Sequence, residues 1–511
     1  ACISNENIID SILFDFTHIS IDEVQMALKS LKSKFTSGPD DVPSFLLKDC
    51  ACVLAKPLGV IFNLILNFGH VPKIWKLSKV VPVFKGGDKS NVSNYRLISL
   101  LSNFAKVFEI VVHSRLNQYI KNKISFSQHG FISGRSTVTN LVTLTQNIRG
   151  VLDGRGQMDV IFLDFNKAFD KLDHDLLILK LEKLYGFSPK LIKMFTSYLQ
   201  DRYQFVDYFG YRSTNVWQSS GVPQGSVLGP LLFALFVDDI TKIIGDNCLV
   251  YADDVKVFSK IGNIADSIKL QEVLDRIVLW CINNRLFLNP AKSKVMSFTK
   301  IKNAMIHCYT ICGHVINRPE YIKDLGVTLD SQLNFVKHVE LVVSAAYKSL
   351  GFVVRNTKCF RNSSTFINLY YAFVRSKLEY ASVVWNPSFK YLTESIEKVQ
   401  RRFLKYLVFR IDGIYPIRNI PQKLLLSRFS ILSLECRRII NLVMFLHSLV
   451  NNRLDAPSLL EQVCYWARPR SLRDKSIFYI KKSRTNILKF SPIYMMQMYF
   501  DKFNADVNID I

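Results

Sequence analysis

Residues 250–255, VYADDV, place two adjacent acids, Asp253 and Asp254, inside an otherwise apolar segment. Successive residues of a strand point to opposite faces, so a continuous strand would bury a carboxylate at a high cost in desolvation. A hairpin turn avoids that cost because it projects both acids outward to cations. The pattern therefore predicts short strands at 248–252 and 255–258 with a metal site at the hairpin tip. The alternative is a plain surface turn, in which Asp-Asp pairs are common.

A further acid, Asp164, comes near the end of residues 158–165, MDVIFLDF, whose β-branched and aromatic residues predict a strand. The alternative is a strand-ending Asp that only starts a turn. If this strand neighbours the hairpin, Asp164 and Asp253 converge on one sheet edge. Convergent carboxylates suit Mg²⁺, which also takes water and substrate phosphates as ligands. Two such ions about 3.5 to 4 Å apart can activate a hydroxyl and stabilise a leaving pyrophosphate, which is the chemistry of nucleotide addition.

The rest of the chain alternates helical and extended patterns. Apolar periodicity predicts two amphipathic helices within 20–68, separated by a turn-rich break at 37–41, and further helices at 104–119, 175–185 and 230–244; a strand is predicted at 79–84, and mainly helices after 341. The order strand, helix, helix, hairpin predicts an α+β fold with helices packed on one face of the sheet. A chain of 511 residues should bury several cores.

The charge balance points to a polyanionic partner. Lys and Arg number 66 against 42 Asp and Glu, a net charge of +24. Residues 341–511 carry 27 basic and 11 acidic groups, so +16 of that excess lies in the last third. This asymmetry predicts a C-terminal module that grips nucleic-acid backbone, and solvated surface charge is the alternative.

The ten cysteines are scattered, which fits a reducing intracellular setting rather than a disulfide framework. His307, Cys308, Cys312 and His314 are close enough in sequence for a zinc site, but a short hairpin whose residues alternate faces explains them better. No run of 18 apolar residues occurs, so no membrane span is expected. The chain begins at Ala1 without a signal-like segment and is expected to be part of a longer reading frame.

Three segments in order resemble the catalytic motifs of one polymerase family. Residues 162–170, FLDFNKAFD, are similar to motif A of reverse transcriptases from non-LTR retrotransposons; residues 219–230, SSGVPQGSVLGP, resemble motif B; and residues 251–254, YADD, resemble motif C. The resemblance implies an RNA-directed DNA polymerase of a mobile element. It also implies a right-hand fold with fingers, a palm built on an antiparallel sheet, and a helical thumb.

Flanking segments extend the resemblance over nearly the whole chain, most weakly after about 460. They are 94–101 (NYRLISLL, fingers), 128–131 with 135–137, Leu288 and Asn289 with Lys292 (motif D), 321–329 (motif E), and 374–381, 385–387 and 396–400 (the thumb of jockey-type elements). The sequence departs from the family at Leu97, where Pro is usual. The endonuclease that normally precedes this polymerase is expected upstream in the full-length element and is absent from this chain.

The resemblance implies metal-binding and catalytic roles for the carboxylates. Asp164 and Asp253 would bind two Mg²⁺ ions, or Mn²⁺ in their place, with Asp254 as the third carboxylate and the backbone carbonyl of Phe165 as a further ligand. Lys292 would act as general acid toward pyrophosphate, and the alternative is a solvated lysine.

It further implies a nucleotide-binding set. Arg96 and Lys85 would hold the incoming triphosphate, unless either is one more surface charge. Gln224, with Gly225 beside it, would contact the nucleotide sugar and the template, and a glycine-rich segment that only leads into a helix is the alternative. Phe169 would be the steric gate under the sugar, and its alternative is a core aromatic.

The implied domains are 1–155 (fingers and N-terminal extension), 156–330 (palm with motifs A to E), 331–410 (helical thumb) and 411–511 (a basic, helical C-terminal region). The expected partners are an RNA template, a DNA primer and dNTPs. The expected location is a cytoplasmic ribonucleoprotein and the nucleus. A rival interpretation is a degenerate copy that folds and binds RNA without catalysis, for which the Leu97 departure is the sequence argument.

Overall fold

The fold is described from a computed structural model, in which residues 13–360, 362–417, 420–466 and 477–504 are described. Within these ranges helices predominate and four sheets are interspersed among them, so the predicted α+β class is confirmed. The strands are β1 (Leu77–Phe84), β2 (Tyr95–Leu100), β3 (Gln157–Asp164), β4 (Arg202–Tyr208), β5 (Tyr211–Arg212), β6 (Val216–Gln218), β7 (Cys248–Tyr251), β8 (Asp254–Ile261), β9 (Lys294–Thr299), β10 (Thr310–Ile311), β11 (His314–Val315), β12 (Tyr321–Asp324) and β13 (Val327–Asp330).

The helices follow the predicted apolar periodicity, except that residues 20–68 form three helices where two were predicted. In the first part of the chain they are α1 (Ile21–Ser30), α2 (Ser44–Asp49), α3 (Ala51–Phe68), α4 (Asn103–Ile120), α5 (Thr137–Asp153), α6 (Ala168–Lys171), α7 (His174–Lys183), α8 (Pro189–Leu199), α9 (Leu228–Val237), α10 (Ile240–Ile244) and α11 (Ile264–Asn283). After these come α12 (Val336–Asn356), α13 (Ser363–Tyr370), a π-helical turn (Tyr371–Arg375), α14 (Ser376–Glu379), α15 (Ser382–Trp385), α16 (Lys390–Asp412), α17 (Gln422–Arg428), α18 (Leu434–Val450), α19 (Pro457–Leu460), α20 (Asn486–Lys489) and α21 (Pro492–Asn504).

The central sheet has the strand order β7-β8-β3-β9, and all its pairings are antiparallel. Both faces of β3 are buried, since Ile161 and Leu163 belong to one hydrophobic core and Met158 and Val160 to a second. Helix α11 covers the first face and α5 the second. The prediction of helices on one face was therefore wrong, and the nearly unbroken apolar run of β3 reflects burial on both sides.

A second sheet has the order β2-β1-β4-β5, with β6 also paired to β4. Strand β1 pairs antiparallel with β2 and parallel with β4. One face of β1 is fully buried at Ser78 and Val80. Strands β4 to β6 thus join a sheet whose first two strands come from a distant part of the sequence.

Two small hairpins complete the strands. The β10–β11 hairpin pairs Thr310 with Val315 and Ile311 with His314, as the hairpin interpretation of the His and Cys cluster predicted. Within the described ranges, no group of three or more His, Cys, Asp or Glu could hold a metal ion. The zinc interpretation therefore gains no support. The β12–β13 hairpin lies beside the end of the central sheet.

The C-terminal helices share the second core with the central sheet. Helix α5 is tied to this end of the chain because Arg149 donates from Nη1 to the carbonyl of Ile487 at 2.8 Å. The Asp153 carboxylate accepts from the backbone N–H of Thr485 at 2.7 Å. The last part of the chain is thus packed against the first part.

Two details differ from the sequence predictions. The predicted helix 230–244 is divided into α9 and α10 at Asp238 and Asp239, whose carboxylates accept from the backbone N–H of Ser125 and from Lys180. Helix α3 (Ala51–Phe68) is long and apolar enough to cross a membrane by length and composition, so the expectation that no such segment exists was too strict. Its buried residues join the core formed with α1 and α4, and core helices also pass that test.

Candidate active site

The two adjacent acids lie where β7 turns into β8. Tyr251 pairs with Asp254, so Ala252 and Asp253 form the two-residue connection. Ala252 adopts a left-handed backbone conformation, with φ of 58°. This turn takes Asp253 out of the apolar strands and leaves Asp254 as the first residue of β8, and the predicted hairpin is confirmed.

Backbone contacts hold the turn from its outer edge. The N–H of His129 donates to the carbonyl of Val250, and the N–H of Val250 donates to the carbonyl of Ser127, both at 2.8 Å. A Cβ atom on Gly130 would come closer to the backbone nitrogen of Ala252 than van der Waals radii allow. Glycine is therefore required at position 130 for the turn to pack as it does.

Asp164 is brought to the same end of the sheet by register. Strands β3 and β8 are antiparallel neighbours, and Asp164 pairs directly with Asp254. The predicted adjacency of the two strands is thereby confirmed. All three carboxylates meet at one edge of the central sheet.

The segment that resembles motif D clasps the end of β3. The N–H of Asn289 donates to the carbonyl of Asp164 at 2.7 Å, and the N–H of Asn166 donates to the carbonyl of Phe287 at 2.9 Å. These bonds use the carbonyl of Asp164, not that of Phe165. The Phe165 side chain is buried, with its ring tilted against Trp280.

The electrostatics of this edge favour bound cations. Partial burial in the cleft raises the pKa of Asp253, and the nearby Asp164 carboxylate raises it further, while Arg96 and Lys292 act in the opposite direction. Burial, together with the charge of Asp253, raises the pKa of Asp254 to about 6. Crowded carboxylates of this kind are stabilised when cations come between them.

The carboxylates do not form a closed metal cage, since the described part of the chain holds no group of three or more metal-ligating side chains close enough for that. The Asp164 Oδ2 atom is buried and lacks a hydrogen-bond partner among the described residues. A buried oxygen without a donor, at an edge with two more acids, fits an open site that water and substrate phosphates would complete.

A cavity of about 420 Å³ opens beside the carboxylates. Asp164, Asp254 and Lys292 line one side, and residues 322–325 of the β12–β13 hairpin line the other. The Lys292 ammonium lies 3.7 Å from Asp164 Oδ2, and its side chain is 68% exposed. Lys292 therefore stands at the site, although an exposed ion pair contributes little stability.

The predicted triphosphate residues lie on the second sheet. Arg96 is an exposed residue of β2, opposite Val83, and its charge reaches Asp253. Lys85 follows β1, and its backbone N–H donates to the carbonyl of Asn94 at 2.8 Å. Its side chain is exposed in the loop with Gly86 and Gly87. The structure therefore brings the charge of Arg96 to the carboxylates and leaves Lys85 in a solvent-facing loop.

The segment that resembles motif B joins the second sheet to α6, the helix that follows β3. The carbonyl of Gln224 accepts from the N–H of Ser99 at 2.8 Å, and its side-chain amide donates to Asp170 Oδ1 at 2.7 Å. Gly225 has φ of 130°, and a Cβ there would collide with the carbonyl of Ser99. This loop is thus fixed between β2 and α6.

Phe169 lies next to this loop and is half-buried. Its ring stacks on Phe233 with centroids 4.3 Å apart, and Phe131 meets it edge-on at 6.2 Å. The N–H of Val222 donates to the carbonyl of Phe169 at 2.9 Å. Phe169 packs on a core residue and is only half-buried, a position that fits either interpretation of the residue.

Sequence reasoning missed a buried lysine beneath the site. Lys256 lies two residues beyond Asp254 on β8, and its Nζ atom is 2.6 Å from Asn140 Oδ1 and 2.6 Å from Asp324 Oδ2. The side chains of Lys256 and Asp324 are only 1% and 4% exposed. The signal in the sequence was a lysine inside an apolar strand, which requires a buried partner.

A sheet edge with three carboxylates, the nearby charge of Arg96 and an open cavity define a candidate site for metal-assisted chemistry on phosphates. A family model described as "Reverse transcriptase (RNA-dependent DNA polymerase)" matches residues 85–393. That match covers more than half of the sequence, and the chain belongs to the reverse transcriptase family.

Relatives from mobile elements support the same assignment. The chain is 32% identical over 345 residues to the "Probable RNA-directed DNA polymerase from transposon BS" of Drosophila melanogaster, covering 65% of this chain and 38% of the relative. It is 29% identical over 339 residues to the "RNA-directed DNA polymerase from mobile element jockey" of the same species, covering 64% and 37%. The chain therefore spans less than two fifths of these relatives, and the predicted likeness to jockey-type polymerases is confirmed.

Proposed function

We propose that this chain is the polymerase part of a longer mobile-element protein and that it copies an RNA template into DNA from a DNA primer and dNTPs. The observation that carries the proposal is the register that pairs Asp164 with Asp254. It gathers at one edge the three acids that the family resemblance assigns to catalysis, with Asp253 in the adjoining turn.

The residues at this edge fit divalent metal ions. Asp164, with its buried Oδ2 free of hydrogen bonds among the described residues, and Asp253 would hold two Mg²⁺ ions, or Mn²⁺ in their place. The Phe165 carbonyl and Asp254 would complete the protein ligands. When bound, such ions offset the charge of the triphosphate and favour ionisation of the primer hydroxyl.

The remaining groups bind and orient the nucleotide. Arg96 would grip the triphosphate with its fork of donors, and Lys85 would add a point charge at the edge of the site. Gln224, held by Asp170, and Gly225 would position the sugar and template. Phe169 would exclude a 2′-hydroxyl, and Lys292 would donate a proton toward the leaving pyrophosphate.

The proposed architecture is a right hand with fingers to about 155, a palm to 330, a helical thumb to 410 and a basic C-terminal region. Within this proposal residues 202–218 go with the fingers, because β4 pairs with β1 and β6 pairs with β4. An endonuclease elsewhere in the full-length protein, and residence in a cytoplasmic ribonucleoprotein and the nucleus, complete the proposal.

Primer extension on an RNA template with Mg²⁺ tests this function. Asp164→Asn and Asp253→Asn should each reduce extension at least about 100-fold, since each removes a metal ligand but keeps the side-chain shape. Binding of an RNA–DNA hybrid should be nearly unchanged. Asp275→Asn, on the exposed side of α11, is the matched control and should extend normally. If Asp164→Asn extended primers at more than a few per cent of the parent rate, the proposed roles would be wrong; a parent chain that binds RNA without extending would instead be a non-catalytic relic.

A further inference from the structure

The sheet that carries Arg96 has an open face lined with exposed aromatic residues. In the register of this sheet Val83 lies opposite Arg96, Leu77 opposite Tyr203, and Tyr203 opposite Trp217. Directly paired residues share a face, and so do alternate residues of one strand. Arg96, Tyr203 and Trp217 therefore project from the same face, which we call the open face.

The opposite face packs on the protein interior along the first half of β1, although its far end at Tyr208 and Tyr211 is exposed. Ser78 and Val80 of β1 project from it and are 0% and 1% exposed. On the open face, by contrast, Tyr203 is 44% exposed and Trp217 is 61% exposed. Two exposed rings side by side form an aromatic patch of the kind that can mark a binding surface.

Positive charge accompanies these rings. The Arg212 guanidinium lies 3.8 Å from the ring centre of Phe205, and Lys79 forms an ion pair with Asp207 at 2.9 Å. By strand alternation and register all four side chains belong to the open face. Together with Arg96 the face carries three cations against one anion, which suits a strand of phosphates.

The open face also leads away from the nucleotide site. From Val83 to Leu77 is six residues along β1, or about 20 Å. Tyr203 and Trp217 lie two and three strand spacings of about 4.8 Å from β2, the strand of Arg96. Arg96 stands at the near corner, where its charge reaches Asp253. The aromatic pair at the far corner is too distant to contact the incoming nucleotide, but it is within reach of a strand that extends several nucleotides beyond it.

We propose that the open face is the track for unpaired RNA template ahead of the nucleotide site, with Tyr203 and Trp217 as a stacking platform for its bases. The inference rests on the proposed polymerase function, in which the template must arrive single-stranded. Bases in a duplex are already stacked, whereas unpaired bases present free π-faces that aromatic side chains bind without regard to sequence. A copying enzyme requires that tolerance.

Hybrid binding by the full chain tests the platform. Fluorescence anisotropy would compare a blunt RNA–DNA hybrid with one whose RNA strand extends about ten nucleotides past the primer end. The overhang should tighten binding by the parent chain. The double variant Tyr203→Ala/Trp217→Ala should lose about fivefold or more per stacked base from that gain and bind the blunt hybrid as the parent does.

Three comparisons isolate stacking from other effects. An abasic overhang keeps the phosphates but removes the bases, so the parent should bind it no more tightly than the double alanine variant binds the normal overhang. The variant Tyr203→Phe/Trp217→Phe should retain most of the gain because it keeps a ring at each position. Tyr211→Ala is the matched control, since Tyr211 is 83% exposed on the opposite face of the same sheet, and it should bind the overhang normally.

The possible outcomes distinguish a failure of the stacking platform from a failure of the proposed polymerase function. If the parent extends primers but the alanine variant keeps the full overhang gain, the platform is refuted and the polymerase stands. If the parent neither extends primers nor binds either hybrid, both fail. A variant that turns a dimer into a monomer in sedimentation, without changing overhang affinity, would show that the open face binds a second copy of the chain and not RNA.

Discussion

Removing the buried ammonium beneath the site should destabilise the hairpin that carries the acids. Lys256→Met leaves the Asp324 carboxylate at 4% exposure without the group that now lies 2.6 Å away, and leaves Asn140 Oδ1 without its donor. Breaking one partner of such a pair costs about 3 to 5 kcal/mol. That is a large fraction of the roughly 5 to 15 kcal/mol that holds a typical domain folded.

The loss should depend on pH in a definite direction. Burial already raises the pKa of Asp324, and Lys256 is the group that opposes this. Without Lys256 the folded-state pKa rises further above its unfolded value, so the folded state binds the proton more tightly than the unfolded state does. The deficit of the variant relative to the parent should therefore shrink as the pH falls from 7 toward about 4.

Hydrogen exchange of residues 248–261, followed by mass spectrometry, measures this locally, which suits a chain with two hydrophobic cores because two-state unfolding is not required. Lys256→Met with Asp324→Leu should recover most of the loss, since removing both partners leaves no buried charge. Lys260→Met, at an exposed site of the same strand, should change stability by less than about 0.5 kcal/mol. A cost below about 1 kcal/mol for Lys256→Met, or a double variant worse than the single, would refute the reasoning.

Three further changes probe other parts of the site. Gly130→Ala should shift the turn at Ala252 and reduce primer extension about 100-fold, whereas Gly150→Ala on α5, where nothing lies within 4 Å of an added Cβ, should leave extension unchanged. Phe169→Val should raise the ratio of ribonucleotide to deoxynucleotide kcat/KM; if Phe169 serves only the core, the ratio stays constant and both activities fall with a stability loss of about 1 to 4 kcal/mol. Replacing the exposed Lys398 and Lys423 with Gln should flatten the slope of log K against log salt for hybrid binding by about one for each phosphate that these lysines neutralise. An unchanged slope would show that these lysines contact only solvent and not the nucleic acid.

Local patterns predicted the elements of the site but not their surroundings. The acids at 253 and 254 required a turn, and the apolar run before Asp164 required a strand, so both features could be predicted from residue chemistry. From the sequence, the two strands could only be assumed to be neighbours. The register of β3 with β8 shows that they are. Periodicity alone carries no information about which strands pair. It was the resemblance to motifs A and C that linked these two strands.

Long-range contacts account for what could not be predicted. Helix α5 precedes β3 and packs on the face that was expected to be uncovered, because its apolar stripe meets Met158 and Val160. The parallel pairing of β1 with β4 joins segments far apart in sequence, and nothing local encodes it. Lys256 was visible as a lysine in an apolar strand, but Asp324 could not be assigned as its partner before the fold was known.

Contacts within the protein hold the carboxylate edge at three places. The turn at Ala252 is held through the backbone of residues 127–130, Asp164 through the segment around Asn289, and β8 through Lys256. The first of these supports reaches the C-terminal helices, because Arg135 donates from Nη1 to the carbonyl of Gln128 at 2.7 Å and from Nε to Asp455 at 2.8 Å. Supports of this kind restrict the backbone that carries the carboxylates, which is how a scaffold holds functional groups in a fixed geometry. The position of the helical C-terminal part thus bears directly on the geometry of the turn that carries Asp253.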